Sequence, residues 1–271
     1  MSQIVESPPG AAPRRAAPPV VAVVIAVERL TPHMVRVTLG GDALRAVDPG
    51  EFTDRYVKLV LAPPPAPDAR PVVRAYTIRR VHAEGWDVDV VEHGDVGYGG
   101  PWARRVQVGD EVGFLGPGGA YAPSADADWH LLVGDESALP AVAAACEALP
   151  SGAVAHAFIE VAGPAERQEI VSDGALRVTW VHRSADGVTL ADVVRTAHEA
   201  GDLPGGVPHA FLHGEAGVVR DLRRWARAEL GVPRELLSAS GYWKQGRDDE
   251  GWRAEKKSWN AAVEQDDAAL G

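Results

Sequence analysis

The chain changes rhythm once, and that change limits the fold more than any other feature. Up to about residue 119 the apolar residues come in short Val-rich runs: VVAVVIAVERL (20–30), MVRVTLGG (34–41), RYVKLVLA (55–62), VRAYTIRRV (73–81), GWDVDVVEHG (85–94) and DEVGFLGPGG (110–119). The runs alternate in part, as half-buried strands do. Turn signals stand between them: Gly40-Gly41, Asp48-Pro49-Gly50, Pro63-Pro64-Pro65 and Gly109-Asp110. Six short strands at this spacing predict a small antiparallel barrel. One helical piece interrupts them, GPWARRV (100–106), with Pro101 suited to a first helical turn.

Beyond APSADAD (122–128) strands alternate with helices. WHLLVG (129–134), AVAHAFIEV (153–161), LRVTWVHR (176–183), HAFLHG (209–214) and LLSASGYW (236–243) read as strands. SALPAVAAACEAL (137–149), TLADVVRTAHEA (189–200), EAGVVRDLRRWARAEL (215–230) and DDEGWRAEKKSWNAAVEQ (248–265) read as helices. Alternation of this kind implies an open, mainly parallel sheet. The expected organisation is an arm over 1–19, an antiparallel barrel domain over 20–124, and an α/β domain with a C-terminal helix over 125–271.

Composition excludes several functions. The formal charge of −11 argues against a nucleic-acid binder, which needs a basic face. An anionic ligand must then be held by a few placed cations rather than by the global field. The single Cys146 cannot close an internal disulfide, and no CxxC pair offers a metal site. No apolar run is long enough to span a bilayer. MSQIVESPPGAAPRRAAPP at the start lacks the basic-then-apolar order of a secretory signal and reads as a disordered Pro/Ala arm. Cytoplasm and a monomeric state are the default expectations.

The chemistry-bearing residues begin with VRAYTIRR (73–80). On a strand, Arg74 and Tyr76 share one face and Thr77 takes the other. A phosphate suits the first and a flat ring the second. A barrel strand of this kind, then a Gly-rich segment, then an α/β domain, resembles the flavin-binding half of the ferredoxin-reductase superfamily. There an Arg-x-Tyr-(Ser/Thr) strand holds the pyrophosphate with Arg, packs Tyr on the isoalloxazine and points the hydroxyl at the reactive ring edge.

The segment 87–121 narrows the resemblance to the siderophore-interacting proteins, flavin-dependent ferric-siderophore reductases. Its carriers are His93-Gly94, Gly97 to Pro101, Trp102-Ala103, Gly109-Asp110 and Gly116-Pro117-Gly118-Gly119. GDESALPA (134–141), HGEAGVVRDLR (213–223) and SGYWKQG (240–246) are similar to later motifs of the family. The resemblance runs from about residue 20 to 260. It implies FAD on Arg74, Ala75, Tyr76, Thr77, His93, Gly94, Gly99, Gly100, Trp102 and Ala103, with Thr77 nearest to the chemistry. The family usually has a small hydroxyl residue in the turn before Trp102, where this chain reads Gly97-Tyr98-Gly99-Gly100-Pro101. Backbone N–H groups of a Gly-rich turn would then cradle the pyrophosphate. Tyr98 either packs on the adenine or lies exposed.

The α/β half contains neither GxGxxG nor a P-loop. A nicotinamide donor, NADPH or NADH, is therefore implied by family and topology, at Gly134, Asp135, Glu136, Ser137, Gly214 and Glu215. Ser137 is alternatively a helix cap. Asp135 and Glu136 do not favour a phosphate beside them, whereas Arg183 is either a solvent-facing charge or a partner for a 2′-phosphate, which would favour NADPH. Lys58, Lys244 and Arg247 are the expected cations for an anionic ferric siderophore. His209 and His213 lie four apart but have no evident third ligand, so they read as one packed and one surface histidine rather than as a metal site. Trp225, Trp252 and Trp259 read as packing, while Trp243 lies within a motif. The expected activity is NAD(P)H-driven, FAD-mediated reduction of ferric siderophores with release of Fe(II). A ferredoxin-driven reductase and a non-catalytic flavoprotein carrier are the alternatives.

Overall fold

A computed structural model of the chain describes residues 18–63, 71–92, 94, 97–183 and 186–270. The arm expected at 1–19 falls outside the described residues except for its last two positions, and so does His93.

The first half closes into a barrel. Its strands are β1 (Val20–Thr31), β2 (Met34–Gly40), β3 (Tyr56–Ala62), β4 (Val72–Val81), β5 (Trp86–Val91) and β6 (Glu111–Gly118), in the order β1-β2-β5-β4-β3-β6. All neighbours are antiparallel, and β6 returns to β1. Alternation puts Val35, Val37 and Leu39, then Val57 and Leu59, then Val88 and Val90 into one apolar core with Ile78 and Phe114. Lys58, between Val57 and Leu59, faces outward. Among the described residues two helices accompany the barrel: α1 (Asp42–Arg45), a single turn that sequence reading missed, and α2 (Gly99–Arg105).

The second half is a five-stranded sheet: β7 (Trp129–Gly134), β8 (Val154–Val161), β9 (Ala175–His182), β10 (Pro208–Glu215) and β11 (Leu237–Trp243). The order is β11-β10-β7-β8-β9, and all four pairings are parallel. Helices α3 (Leu139–Glu147), α4 (Leu190–Glu199) and α5 (Ala216–Ala228) connect the strands, and α6 (Asp249–Leu270) ends the chain. Thr189 and Asp192 start α4 with a reciprocal capping box. One face of the sheet packs Leu131, Val133, Phe158 and Leu212 with α4 and α5; the other packs Leu132, Ala157, Ile159 and Phe211 with α3. From β7 the chain moves outward through β8 and β9, then crosses back to β10. The strand order thus reverses between β7 and β10, where an open parallel sheet presents its ligand crevice.

Side chains lock the two halves together. Arg79 of β4, with only 3% of its side chain exposed, donates both terminal nitrogens to Glu147 at the end of α3. Glu166, in a 3-10 turn after β8, accepts from Thr31 Oγ1, from His33 N–H and from His33 Nδ1. No helix among the described residues is long and apolar enough to cross a membrane.

Candidate flavin and donor sites

Arg74 and Tyr76 project from the same side of β4, and the start of α2 lies over them. A Cβ added to Gly99 would stand 2.1 Å from the Tyr76 hydroxyl, so only glycine lets the α2 turn approach this closely. Burial holds the Tyr76 phenol well above its usual pKa, and it therefore stays a neutral aromatic surface. The Arg74 guanidinium sits 5.3 Å from the centre of the Tyr98 ring, and Tyr98 is 41% exposed. The cation is thus stacked on the Tyr98 ring. Tyr98 precedes α2 without a side-chain cap, so the first-turn N–H groups of Gly99 and Gly100 have no helical partner.

Arg74 already has anionic partners. It lies 3.0 Å from Asp249 and 3.1 Å from Glu250, the first two residues of α6. Arg253, one turn on, pairs with Asp249 at 2.7 Å and donates to the Val73 carbonyl. The start of α6 thus clamps the barrel strand through two carboxylates, at the position where a phosphate was expected. DDEGW (248–252) offered only a helix-start signal in the sequence, and its contact with β4 is purely tertiary.

Thr77 is 6% exposed and points away from Tyr76. With Arg79 it belongs to the side of β4 that faces the α/β half. Trp102 and Ala103, expected beside the flavin, are buried members of the barrel core, because the apolar face of α2 packs on it. Gly94 adopts positive φ, and its carbonyl accepts from Arg104 at 3.0 Å.

Asp135 organises the crevice of the sheet. One carboxylate oxygen accepts from Ser137 N–H at 2.9 Å and Ser137 Oγ at 2.5 Å; the other accepts from Glu215 N–H at 2.8 Å and Trp243 Nε1 at 2.7 Å. The ends of β7, β10 and β11 are thereby drawn onto one buried group. Gly214, with φ of +134°, passes so close that a Cβ there would lie 2.6 Å from the carboxylate. Burial raises the Asp135 pKa, and its hydrogen bonds oppose that. In the structure every acceptor position of Asp135 is used internally, and the Ser137 hydroxyl serves Asp135 rather than capping α3. Glu215 caps α5 by accepting from Val218 N–H at 2.9 Å, and also accepts from Gln245 N–H at 3.1 Å. Trp243, its indole N–H fixed, keeps 39% of its surface exposed at the crevice.

Glu136, at the end of β7, and Glu160, near the end of β8, both bind Arg183, at 2.5 Å and 3.1 Å. Arg183 is therefore not a free anchor for a 2′-phosphate.

The expected siderophore cations are not a purely basic cluster. Lys244 pairs with Glu255 of α6 at 2.7 Å, and Arg247 with the same carboxylate. Lys58 bears electrostatically on Lys256, whose pKa is lowered by burial first and then by neighbouring cations. Lys256 donates to the Gly241 carbonyl at 2.9 Å. Sequence reading missed Glu255 because helical spacing alone does not tell which strand end a helix meets.

His209 and His213 are both packed rather than one packed and one exposed. His213 stacks on Phe211, with Tyr242 and Ser238 on its two nitrogens, and burial lowers its pKa to about 3. His209 meets Tyr121. Trp225 and Trp252 are buried, and Trp259 crosses Trp252 edge to face. Among the described residues no group of three or more His, Cys, Asp or Glu could hold a metal ion.

Comparison with known proteins agrees with this architecture. The model of the siderophore-interacting FAD-binding domain matches residues 23–69 and 64–121, and that of the siderophore-interacting protein matches 127–246. The chain is 44% identical over 267 residues to an uncharacterized protein of Mycobacterium tuberculosis, covering 86% of this chain and 93% of that one. It is 35% identical over 194 residues to the ferric vibriobactin reductase ViuB of Vibrio cholerae, covering 70% and 71%. A siderophore utilization protein from T. fusca superposes with a TM-score of 0.72 at 35% identity, covering 84% of this chain and 94% of that one. The siderophore-interacting protein SipS of Aeromonas hydrophila does so with a TM-score of 0.75 at 27% identity, covering 89% and 97%. A ferredoxin-NADP+ reductase from Plasmodium falciparum, at 9% identity and a TM-score of 0.65 over 83% of this chain and 96% of that one, shares the fold. With a barrel that matches the FAD-binding domain and an α/β half that matches the partner domain, the chain belongs to the siderophore-interacting protein family.

Proposed function

We propose that this protein is an FAD-dependent ferric-siderophore reductase that takes its electrons from a nicotinamide nucleotide. The observation that carries the proposal is the β4–α2 cradle: Arg74 and Tyr76 lie beneath a turn so close that a Cβ on Gly99 would stand 2.1 Å from the Tyr76 hydroxyl. The donor set fits the cofactor, with a cation for the diphosphate, an aromatic surface for a flat ring and uncapped N–H groups beside them. FAD, when bound, supplies the exchange between a two-electron donor and one-electron transfer to ferric iron.

The chain's own residues bind and orient. Arg74 holds the diphosphate after exchanging the carboxylates of Asp249 and Glu250 for phosphate oxygens. Gly99 and Gly100 donate backbone N–H groups, and His93 and Gly94 are the further residues assigned to the cofactor. Tyr76 packs on the ring, and Thr77 offers its hydroxyl from the side of β4 toward the α/β half. The crevice at Gly134, Glu136, Gly214 and Glu215 receives the nicotinamide donor. Lys58, Lys244 and Arg247 receive the ferric siderophore, with Glu255 moderating the last two. No protein nucleophile is required.

The test is anaerobic oxidation of NADH and of NADPH by the purified flavoprotein, with a ferric siderophore and an Fe(II) chelator present. Formation of the Fe(II) complex at a rate matching nucleotide oxidation supports the proposal. Fe(II) formed only with reduced ferredoxin replaces the donor, and no Fe(II) with either donor makes the protein a carrier.

A further inference from the structure

The ends of β7, β8 and β9 are neighbours, with Gly134 in register with Ile159 and Glu160 with Val181. Glu136 follows β7, Glu160 lies near the end of β8, and Arg183 follows β9. They meet as one cation between two carboxylates, 2.5 Å from Glu136 and 3.1 Å from Glu160. The carboxylates are the more enclosed partners: their side chains are 14% and 17% exposed, against 48% for Arg183. Glu215 and the buried Asp135 add negative charge at the same crevice. Arg167, another cation near the end of β9, gives its Nε–H to His182, which alternates to the opposite side of that strand.

We infer that Glu136 and Glu160 make the crevice selective for a donor without a 2′-phosphate, NADH rather than NADPH. The inference rests on the reading that this crevice takes a nicotinamide donor. A 2′-phosphate reaching Arg183 would have to displace two carboxylates and then lie beside both of them. Like charges at such range repel, and partial burial weakens solvent screening. A ribose with two free hydroxyls meets the reverse situation, because a carboxylate accepts hydrogen bonds from a diol. Burial raises the Glu160 pKa and the neighbouring Asp135 and Glu136 add to the rise, while the Arg183 guanidinium opposes it. Arg183 is thus a positioning residue for the two acids.

The experiment is isothermal titration of the flavin-loaded full chain with NAD+ and with NADP+ at low salt. Flavin reduction by NADH and NADPH serves as a second readout. Wild type should bind NAD+ about tenfold or more tightly than NADP+, with the gap narrowing as salt is raised. Glu136→Gln combined with Glu160→Gln should tighten NADP+ binding about fivefold or more without improving NAD+. Tighter NADP+ than NAD+ in wild type overturns the selectivity but leaves the donor reading standing, and so does a double variant with unchanged NADP+ affinity. Failure of both nucleotides to bind at millimolar concentration overturns the donor reading and the selectivity together. Circular dichroism and thermal unfolding of the double variant show whether it is folded, and each single variant repeats the test with half the change.

Discussion

Replacing Asp135 by Asn tests whether one buried charge draws the crevice together. The carboxylate accepts four hydrogen bonds, two on each oxygen, from Ser137 N–H, Ser137 Oγ, Glu215 N–H and Trp243 Nε1. An amide retains one acceptor oxygen. Turned toward Glu215 and Trp243, it keeps those two bonds but loses their charge assistance. Its NH2 then faces Ser137, whose hydroxyl can rotate to accept, while the Ser137 N–H is left unpaired. An unsatisfied buried donor costs about 1–3 kcal/mol, and bonds to a charged group exceed neutral ones by about 1 kcal/mol. Against this, the amide avoids burying a charge, the effect that raises the Asp135 pKa. Four donors aimed at one group favour the ionised form, so the expected net loss is about 1–3 kcal/mol. Urea unfolding at pH 7 measures it, and the tryptophan emission spectrum reports release of the Trp243 indole. An Asp135→Asn variant with stability within about 0.5 kcal/mol of wild type and unchanged emission would show that Asp135 is protonated in the fold and refute the reasoning.

Arg74→Ala should weaken FAD binding by about 10- to 150-fold, the worth of one charge-assisted contact. Asp249→Asn with Glu250→Gln should tighten it, because those carboxylates compete with the diphosphate; equilibrium dialysis of the apoprotein measures both. Gly99→Ala should displace Tyr76 and lower FAD retention, since the new methyl would meet the phenol oxygen at 2.1 Å, and a retained flavin with an unshifted visible spectrum contradicts this. Stability should fall as the pH drops below about 6.5. Burial holds His213 down to about 3 and His130 and His156 to about 4, so the unfolded chain takes up protons in that window while the native chain does not. His213 alone accounts for up to about 1.4 kcal/mol per pH unit, and equal urea midpoints at pH 7 and pH 5 would exclude the effect.

Local pattern was enough to read the barrel, the parallel sheet and their order. Val57-Lys58-Leu59 shows its alternation directly, and Thr189-Leu190-Ala191-Asp192 carries its cap within four residues. The Arg74–Tyr76 pairing was legible for the same reason, because a strand's faces follow from parity. What stayed hidden depends on long-range placement. Glu255 neutralises Lys244 and Arg247, Asp249 and Glu250 occupy Arg74, and Glu136 with Glu160 holds Arg183. In each case a cation was visible as a ligand for an anion, but the internal carboxylate that meets it arrives on another element. The internal bonding of Asp135 was hidden for a related reason. A Gly-Asp-Glu-Ser turn looks like ligand chemistry until the ends of β10 and β11 are seen to converge on it. The expected parallel character of the sheet was, if anything, understated, since no antiparallel strand among the described residues joins it.

The central claim is that electrons held on this protein's flavin reach ferric iron in a bound siderophore. It is tested most directly without any nucleotide. The flavoprotein is reduced photochemically under anaerobic conditions and mixed rapidly with a ferric siderophore and an Fe(II) chelator. Reoxidation of the flavin should follow siderophore concentration, and two Fe(II) complexes should form for each flavin reoxidised, because a fully reduced flavin carries two electrons. A flavin that stays reduced while the ferric siderophore remains intact would contradict the claim.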